Sequence, residues 1–220
     1  MEITTIHQYL PLYPIDPASE RLIVGTIHPH DHESFKVKFF YGNRGSLWTI
    51  LHEAFPAELP DPFSEDAIRA FLRKRKISMS DMVLECRRKA MTALDSDLIP
   101  VRLNHGIVED IRNSAIREIL FTSGFGTNNA FKLFFVDVLQ QRLTPEIRRQ
   151  KEWTLGPEFF GRPVRLRVLI SPAGTANISL SKDPRYLAVS HRYAGSRRPV
   201  QDFKVDYYRE VFEINGDYSS

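Results

Sequence analysis

The chain has 220 residues, of which 42% are hydrophobic and 26% charged, a composition typical of a folded globular protein. No apolar run approaches the ~20 residues of a membrane span, and residues 1–20 lack the basic-then-apolar layout of a signal peptide. Cys86 is the single cysteine, which excludes an internal disulfide framework and suits a reducing compartment. We therefore expect one domain over residues 1–220 in a cytoplasmic protein.

The formal net charge of +3 is unevenly distributed along the chain. Between residues 141 and 200, twelve Lys or Arg stand against four Asp or Glu, a net charge of +8. A basic region on a nearly neutral protein favours a polyanionic partner such as a nucleic acid. A solvated face with scattered arginines explains the same charges, and charge alone leaves both interpretations open.

The first third of the chain predicts one strand and two helices. Residues 1–20 contain three prolines and are expected to form an extended arm on the surface. Residues 21–25 form a continuous apolar run typical of a buried parallel strand. Residues 47–55 predict a helix, and Ser64 is expected to cap the next one, because acids follow it in the first turn and bases in the last. Residues 77–85 read as a loop entering a strand or short turn.

Strands and helices alternate over the rest of the sequence. Residues 104–114 predict a helix, residues 118–122 a second buried strand and residues 127–142 a strong helix with apolar residues at core spacing. A third strand is expected at residues 165–170, and a last helix at about residues 199–212. This alternation indicates an α/β fold, a three-layer α/β/α sandwich with a mainly parallel central sheet.

Three polar loops follow the three predicted strands, at residues 25–46, 122–129 and 171–181. The carboxyl ends of parallel strands meet at one edge of a sheet, where open α/β sheets bind their ligands. We therefore expect these loops to converge on one functional site.

A histidine-rich segment in the first loop raises the possibility of metal chemistry. His28, His30 and His32 surround Asp31, and imidazoles suit zinc and related ions. The other histidines of the chain lie in no recognisable ligand motif, and individually His30 and His32 are explained as ordinary loop residues. A metal-dependent hydrolase using His28, His30 and His32 stays an alternative.

Four segments carry a resemblance to a known superfamily. They occur in this order: Gly25-Thr26-Ile27-His28-Pro29; Phe40-Tyr41-Gly42-Asn43-Arg44-Gly45-Ser46-Leu47-Trp48; Ser80-Asp81-Met82-Val83-Leu84-Glu85-Cys86-Arg87-Arg88 with Leu94-Asp95-Ser96; and Ser171-Pro172-Ala173-Gly174-Thr175-Ala176-Asn177. Their order and spacing resemble the uracil-DNA glycosylase superfamily, most closely its hypoxanthine-DNA (deoxyinosine) glycosylase branch. The resemblance implies a monofunctional enzyme, without metal or other cofactor, that removes hypoxanthine or uracil from DNA and leaves an abasic site. We expect the protein to be a monomer.

The resemblance also implies candidates for positioning the attacking water. Asn43 matches the asparagine of the branch's Asn-Arg pair. His28 is the second candidate, because it occupies the first-motif position that holds Asp or Asn in other members, and a neutral imidazole can orient or deprotonate water. Asp31 is a third candidate, with a turn residue as its alternative interpretation.

The base pocket is expected to be built from the first three segments. Tyr41 or Phe40 could stack on an extruded base, with core packing as the alternative for each ring. By resemblance, Asp81 takes the place of a base-reading side chain, or else it caps a helix. Gly25 and Thr26 of the first motif complete the expected pocket.

DNA contacts are expected from the fourth segment and its flank. The loop is small enough for close backbone approach to the minor groove and its phosphates, and basic residues beside it could neutralise phosphates. The residues concerned are Ser171, Pro172, Ala173, Gly174, Asn177, Lys182 and Arg185. Because the first motif lacks the usual carboxylate, a non-catalytic nucleic-acid-binding module of the same fold is a second alternative.

Overall fold

The computed structural model describes residues 3–43, 47–90, 92 and 94–213. Arg44, Gly45 and Ser46 of the second segment lie outside the described residues. The strands are β1 (Ile3–Ile6), β2 (Arg21–Gly25), β3 (Ile77–Asp81), β4 (Val83–Arg88), β5 (Leu98–Leu103), β6 (Glu118–Phe121), β7 (Glu152–Leu155) and β8 (Val164–Val168). The α-helices are α1 (Leu47–Ala54), α2 (Glu65–Lys74), α3 (Ile107–Arg112), α4 (Ala130–Lys132), α5 (Pro145–Gln150), α6 (Pro157–Phe160), α7 (Asn177–Leu180), α8 (Pro184–Leu187) and α9 (Pro199–Glu213).

The central sheet has five strands in the order β3-β2-β6-β8-β7. The first four are parallel, and β7 is antiparallel to β8. The predictions of strands at residues 21–25, 118–122 and 165–170 are confirmed as β2, β6 and β8. The mainly parallel sheet expected from the sequence is therefore present, with one antiparallel edge strand that the sequence did not indicate.

Helices cover both faces of this sheet, as the three-layer prediction requires. Alternate residues of β2 point to opposite sides, so that Ile23 packs in one apolar core with α1, α2 and α9, whereas Leu22 and Val24 pack in a second core with α3 and α4. Continuous apolar strands of this kind arise when both faces of a parallel sheet are covered.

The prediction of a loop at the start of residues 77–85 is wrong, because residues 77–81 form the fully buried strand β3. Polar residues interrupt its apolar run and hide it from pattern analysis. They are tolerated inside because they have partners: the Ser78 hydroxyl accepts from the Asp16 amide at 3.0 Å and bonds the Ser19 hydroxyl at 2.8 Å.

The amino-terminal segment is only partly the surface arm that was expected. Strand β1 pairs antiparallel with β4, which pairs with β5 in a separate three-stranded sheet. The chain then carries His7 and Tyr9 inward, where each is 3% exposed. Residues after β1 thus contribute to the core and, as shown below, to the site.

The predicted helices are found, with one irregularity. Ser64 caps α2 as expected, since its hydroxyl accepts from the Ala67 amide. The helix expected at residues 127–142 is shorter: α4 passes into a π-helical turn at Leu133–Val138. Among the residues that the structure describes, no helix is long and apolar enough to span a membrane.

A buried carboxylate joins three strands at the edge opposite the strand carboxyl ends. Glu118, 2% exposed, lies 3.4 Å from Arg21 Nε, 3.8 Å from Arg167 Nε and 4.0 Å from Arg165 Nε. Arg165 and Arg167 of the basic 141–200 window therefore have an acidic partner within the protein, which reduces the positive charge available to a polyanion.

We expect Glu118→Gln to lower the free energy of unfolding by about 3 kcal/mol, because it removes the buried carboxylate beside Arg21, while Arg167 keeps Glu152 at 2.9 Å. Chemical denaturation measures the change. The matched control is Glu20→Gln, which removes an exposed carboxylate paired with Lys76 and should cost less than ~1 kcal/mol. Equal losses in the two variants would contradict the assigned role of Glu118.

Candidate active site

A cavity of about 830 Å³ opens at the carboxyl ends of the parallel strands. Residues 26–29 follow β2, residues 122–124 follow β6, and residues 171–175 follow β8, and all three stretches line it. The convergence of the three loops is therefore observed. Its size lies within the range of small-molecule sites, about 300–1,000 Å³.

The cavity brings together many, though not all, of the residues singled out in the sequence. Those that line it are Thr26, His28, Tyr41, Asn43, Asp81, Ser171, Pro172, Ala173 and Gly174. Phe40, Gly25, Asn177, Lys182 and Arg185 are outside the lining.

Gly25 leaves room for two side chains that line the cavity. A Cβ atom at this position would lie less than 3.0 Å from both Tyr41 Oη and Asp81 Oδ1, so only glycine lets these two groups meet over the end of β2. Tyr41 Oη is hydrogen-bonded to Thr122 Oγ1, and Thr122 Oγ1 donates to the Val24 carbonyl at 3.3 Å. Burial raises the pKa of Tyr41 well above its ordinary value, so the phenol stays neutral.

The aromatic rings of the second segment are divided between cavity and core. Phe40 is 1% exposed and packs at 5.9 Å from Tyr9 and 5.2 Å from Phe39, which corresponds to its alternative interpretation as a core residue. Tyr41 lines the cavity, together with Phe35. Sequence reasoning missed Phe35, because a single phenylalanine in a polar loop carries no periodic signal.

Asp81 is a buried carboxylate with one oxygen hydrogen-bonded and the other without a hydrogen-bond partner in the described chain. It ends β3 and is followed by β4, not by a helix, so the helix-cap interpretation is wrong. His7 Nδ1 accepts from the amides of Tyr9 and Leu10, each at 3.1 Å. The proton must then lie on His7 Nε2, which donates to Asp81 Oδ2 at 2.7 Å. Asp81 Oδ1 has no hydrogen-bond partner among the described residues.

His28 lines the cavity with both ring nitrogens already engaged. Nε2 accepts from the Gln8 amide at 3.0 Å, which places the proton on Nδ1, the donor to the Pro29 carbonyl at 2.8 Å. Burial lowers the pKa of His28 to about 4, so the ring is neutral near pH 7. The imidazole therefore ties the loop after β2 to the amino-terminal segment.

The other members of the histidine loop do not gather around a common point. His30 Nδ1 lies 3.1 Å from Thr5 Oγ1, and His32 stacks on His28 with ring centroids 4.4 Å apart. The Asp31 carbonyl accepts from the Ser34 amide in a turn. Within the described ranges, no group of three or more His, Cys, Asp or Glu side chains is arranged to hold a metal ion.

Asn43 and Asp95 are two polar groups of the cavity wall with different surroundings. Asn43 is exposed, and no hydrogen bond ties its amide to another residue of the described chain. Asp95 is partly buried, and its Oδ2 accepts from Thr26 Oγ1 at 3.0 Å. When the Asn129 amide is oriented to satisfy both its atoms, it also donates to Asp95 Oδ2, at 3.1 Å.

Asp95 belongs to the third segment, but its sequence pattern did not mark it as a site residue. Burial raises the pKa of Asp95 to about 6, against the lowering effect of the Thr26 and Ser123 hydroxyls. It lies on the connection between β4 and β5, in the smaller sheet. No local pattern indicates that this connection reaches the edge of the other sheet.

Side chains of helix α9 hydrogen-bond the backbone of the loop after β8. Lys204, which is 0% exposed, donates from Nζ to the Ala173 carbonyl at 3.1 Å, and Tyr208 Oη donates to the Ile170 carbonyl at 2.6 Å. Burial lowers the pKa of Lys204 to about 8. Asn177 Nδ2 donates to Gln201 Oε1 at 3.5 Å, a third link between this region and α9.

The two basic residues beside the loop differ in availability. Lys182 is exposed. Arg185 donates to both carboxylate oxygens of Asp183, at 2.9 and 2.8 Å, and its guanidinium lies 5.9 Å from the centre of the Tyr207 ring. Lys182 can therefore approach a phosphate directly, whereas Arg185 would have to exchange its carboxylate partner.

Comparisons with known proteins give a distant structural likeness. The chain is similar to the solution structure of a "putative Uracil DNA glycosylase" from Methanosarcina acetivorans, with 18% sequence identity and a TM-score of 0.47, over 89% of this chain and 94% of that chain. No protein-family model matches the sequence, and no curated protein matches it.

We expect Gly25→Ala to destabilise the protein by about 1–3 kcal/mol, because the new methyl group displaces Tyr41 or Asp81. Thermal and denaturant unfolding measure the loss. Gly195→Ala is the control, since a Cβ there meets no atom within 4 Å. An unchanged midpoint for Gly25→Ala would show that these side chains are not packed over Gly25.

We expect Lys204→Met to change how stability depends on pH. The pKa of Lys204 falls from 10.5 to about 8 on folding, and each pH unit of such a change is worth ~1.4 kcal/mol. The unfolded state binds the proton more tightly, so Lys204 by itself should contribute a rise of about 3 kcal/mol in wild-type stability between pH 8 and 10.5. The raised pKa values of Cys86 and Tyr9 oppose this contribution equally in wild type and variant. Lys204→Met should lack this rise, and Lys182→Met, which removes an exposed lysine, should keep it. A rise that persists in Lys204→Met would contradict the assignment.

Proposed function

We propose that this protein is a DNA glycosylase that hydrolyses the N-glycosidic bond of a deaminated base, hypoxanthine or uracil, and leaves an abasic site. The observation that carries the proposal is that residues from all four glycosylase-like segments line one cavity at the carboxyl ends of the parallel strands. Such an enzyme needs an enclosed pocket for an extruded nucleotide, polar groups on the base edge and a positioned water.

Asp81 is proposed to read the base. Asp81 lines the cavity, its Oδ1 is a buried acceptor without a hydrogen-bond partner in the described chain, and His7 holds the other oxygen in place. A deaminated base presents a ring N–H beside its carbonyl group, and this N–H can donate to Oδ1. Leaving a buried acceptor unpaired costs ~1–3 kcal/mol, so a base that supplies the donor is favoured over one that does not. Tyr41 and Phe35 supply the aromatic walls.

Asn43 is proposed to position the water that attacks the sugar. Its amide lines the cavity and is not committed to another described residue. His28 has a supporting role in this proposal, because both of its ring nitrogens are bound to backbone groups. A direct role in activating water would require breaking its bond from the Gln8 amide.

The loop at residues 171–175 and Lys182 are proposed to contact the DNA backbone. Ala173, Gly174 and Thr175 are exposed at the cavity mouth, and the small residues allow close approach to phosphates. Binding should weaken as salt concentration rises, because each neutralised phosphate releases counterions.

The test is a strand-nicking assay on the purified chain in EDTA. End-labelled oligonucleotides carry one uracil or one hypoxanthine, single-stranded or paired with each base, and alkali cleaves the abasic product. We expect Asn43→Ala to lower the single-turnover rate by about 10²-fold or more with little change in melting temperature. Asn113→Ala, at an exposed asparagine directly after α3, is the control and should keep the wild-type rate.

His28→Ala separates the two candidates for the water. Removal of the imidazole should mainly lower the stability of the protein, because the hydrogen bond between the Gln8 amide and the loop after β2 is lost. A His28→Ala protein that folds normally but does not cleave would instead assign the water to His28. Intact strands with every substrate, together with salt-dependent binding, would favour the non-catalytic binding module. Phosphoester hydrolysis that needs zinc or manganese would favour the metal-dependent alternative.

A further inference from the structure

We propose that Asp95 is a catalytic residue of this site, which accepts the proton of the attacking water at the sugar end of the cavity. The inference rests on the proposed glycosylase function and adds to it the carboxylate that the first motif lacks.

Asp95 is held at the cavity by groups from other parts of the chain. Its Oδ2 accepts from the hydroxyl of Thr26, in the loop after β2, and from the amide of Asn129, in the loop after β6. The Ser123 hydroxyl is close enough to stabilise the ionised form. A carboxylate that only ordered its own turn would find its partners there. These partners instead fix its orientation against the cavity wall.

The two cavity carboxylates, Asp81 and Asp95, differ in burial, and this difference assigns them different roles. Asp81 is 4% exposed at the end of β3, bound to His7, whereas Asp95 is partly exposed between Leu94, which is 56% exposed, and exposed Ser96. An extruded nucleotide enters with its base deepest and its sugar towards the mouth. Asp81 therefore meets the base, and Asp95 lies at the level of the reacting sugar.

The charged and titratable groups around Asp95 keep it usable as a base. Burial and, to a smaller extent, Asp81 on β3 raise its pKa to about 6, against the lowering effect of Arg88 on β4. Tyr41 also faces Asp95 and is neutral, as is His28 on the neighbouring loop. At pH 7 Asp95 is mainly ionised, and a base with a pKa near the working pH is well matched to proton transfer.

The proposed step balances without a cofactor. The bond between the sugar C1′ and the base nitrogen breaks, and its electron pair leaves with the base. The resulting positive charge on the sugar is stabilised by the Asp95 carboxylate. The water oxygen bonds C1′ while Asp95 takes one water proton, which then passes to solvent, and the departing base takes a proton from solvent.

The experiment compares wild type, Asp95→Asn and Asp97→Asn in single-turnover cleavage of the best substrate from pH 5 to pH 8. Asp97 lies in the same turn, its carboxylate accepts from the Thr92 hydroxyl, and an Asn oxygen can keep that bond. We expect Asp95→Asn to lose about 10²-fold or more in rate, with oligonucleotide affinity within about threefold. Asp97→Asn should stay within about twofold of the wild-type rate.

Two further readouts exclude a merely structural effect. The wild-type rate should fall tenfold per pH unit below about pH 6, and Asp95→Asn should lack this limb. Asp95→Gly should be rescued at least tenfold by added formate, which can replace the missing carboxylate, whereas Asn43→Ala should not be rescued.

A wild-type enzyme that cleaves without an acid limb, or an Asp95→Asn variant that cleaves at the wild-type rate, would overturn the role of Asp95 and leave the glycosylase proposal standing. If Asp95→Asn does not fold, the wild-type pH profile and the formate rescue decide. A wild type that cleaves no substrate would overturn both proposals.

Discussion

The hydrogen bond between His7 and Asp81 is the contact on which the site depends. A carboxylate is costly to bury unless it is hydrogen-bonded, and here one oxygen is hydrogen-bonded to His7 while the other has no partner among the described residues. His7 can be the donor only because two backbone amides bind its Nδ1 and leave the proton on Nε2. The bond also joins the segment after β1, in the smaller sheet, to the end of β3, in the larger one. One buried pair thus links the two sheets and also fixes the position of Asp81 at the cavity.

A second constraint is the close packing over the end of β2. Glycine at position 25 lets the Tyr41 hydroxyl and the Asp81 carboxylate meet there. The Tyr41 hydroxyl in turn bonds Thr122 after β6, so this hydrogen bond links the segment of Tyr41 to the end of β6. Preorganised groups of this kind do not have to rearrange as charge develops in a reaction, which suits the function proposed above.

Part of the positive charge of the basic region at residues 141–200 is neutralised within the folded protein. Arg165 and Arg167 lie beside Glu118, Arg185 is bound by Asp183, and Arg198 is bound by Glu53. Asp183 is already counted in the window, but Glu118 and Glu53 lie outside it, so the net charge of +8 overstates what a polyanion would meet. Exposed Lys182 beside the loop after β8 is the better-placed contact for a phosphate.

The sequence by itself determined the parallel strands β2, β6 and β8, the flanking helices and the common edge at which the three loops meet. It could do so because continuous apolar runs and helical periodicity are local signals, and because parallel strands end at the same edge. It also marked Asn43, Tyr41 and Asp81, through a resemblance carried by short motifs. The tertiary structure alone decided that β3 is a strand despite its serines, that Phe40 is core and Phe35 cavity, and that His28 has no free ring nitrogen. Only folding brings His7 and Asp95 to the edge of the central sheet. Their positions depend on contacts between residues far apart in the chain, and such contacts leave no periodic trace in the sequence.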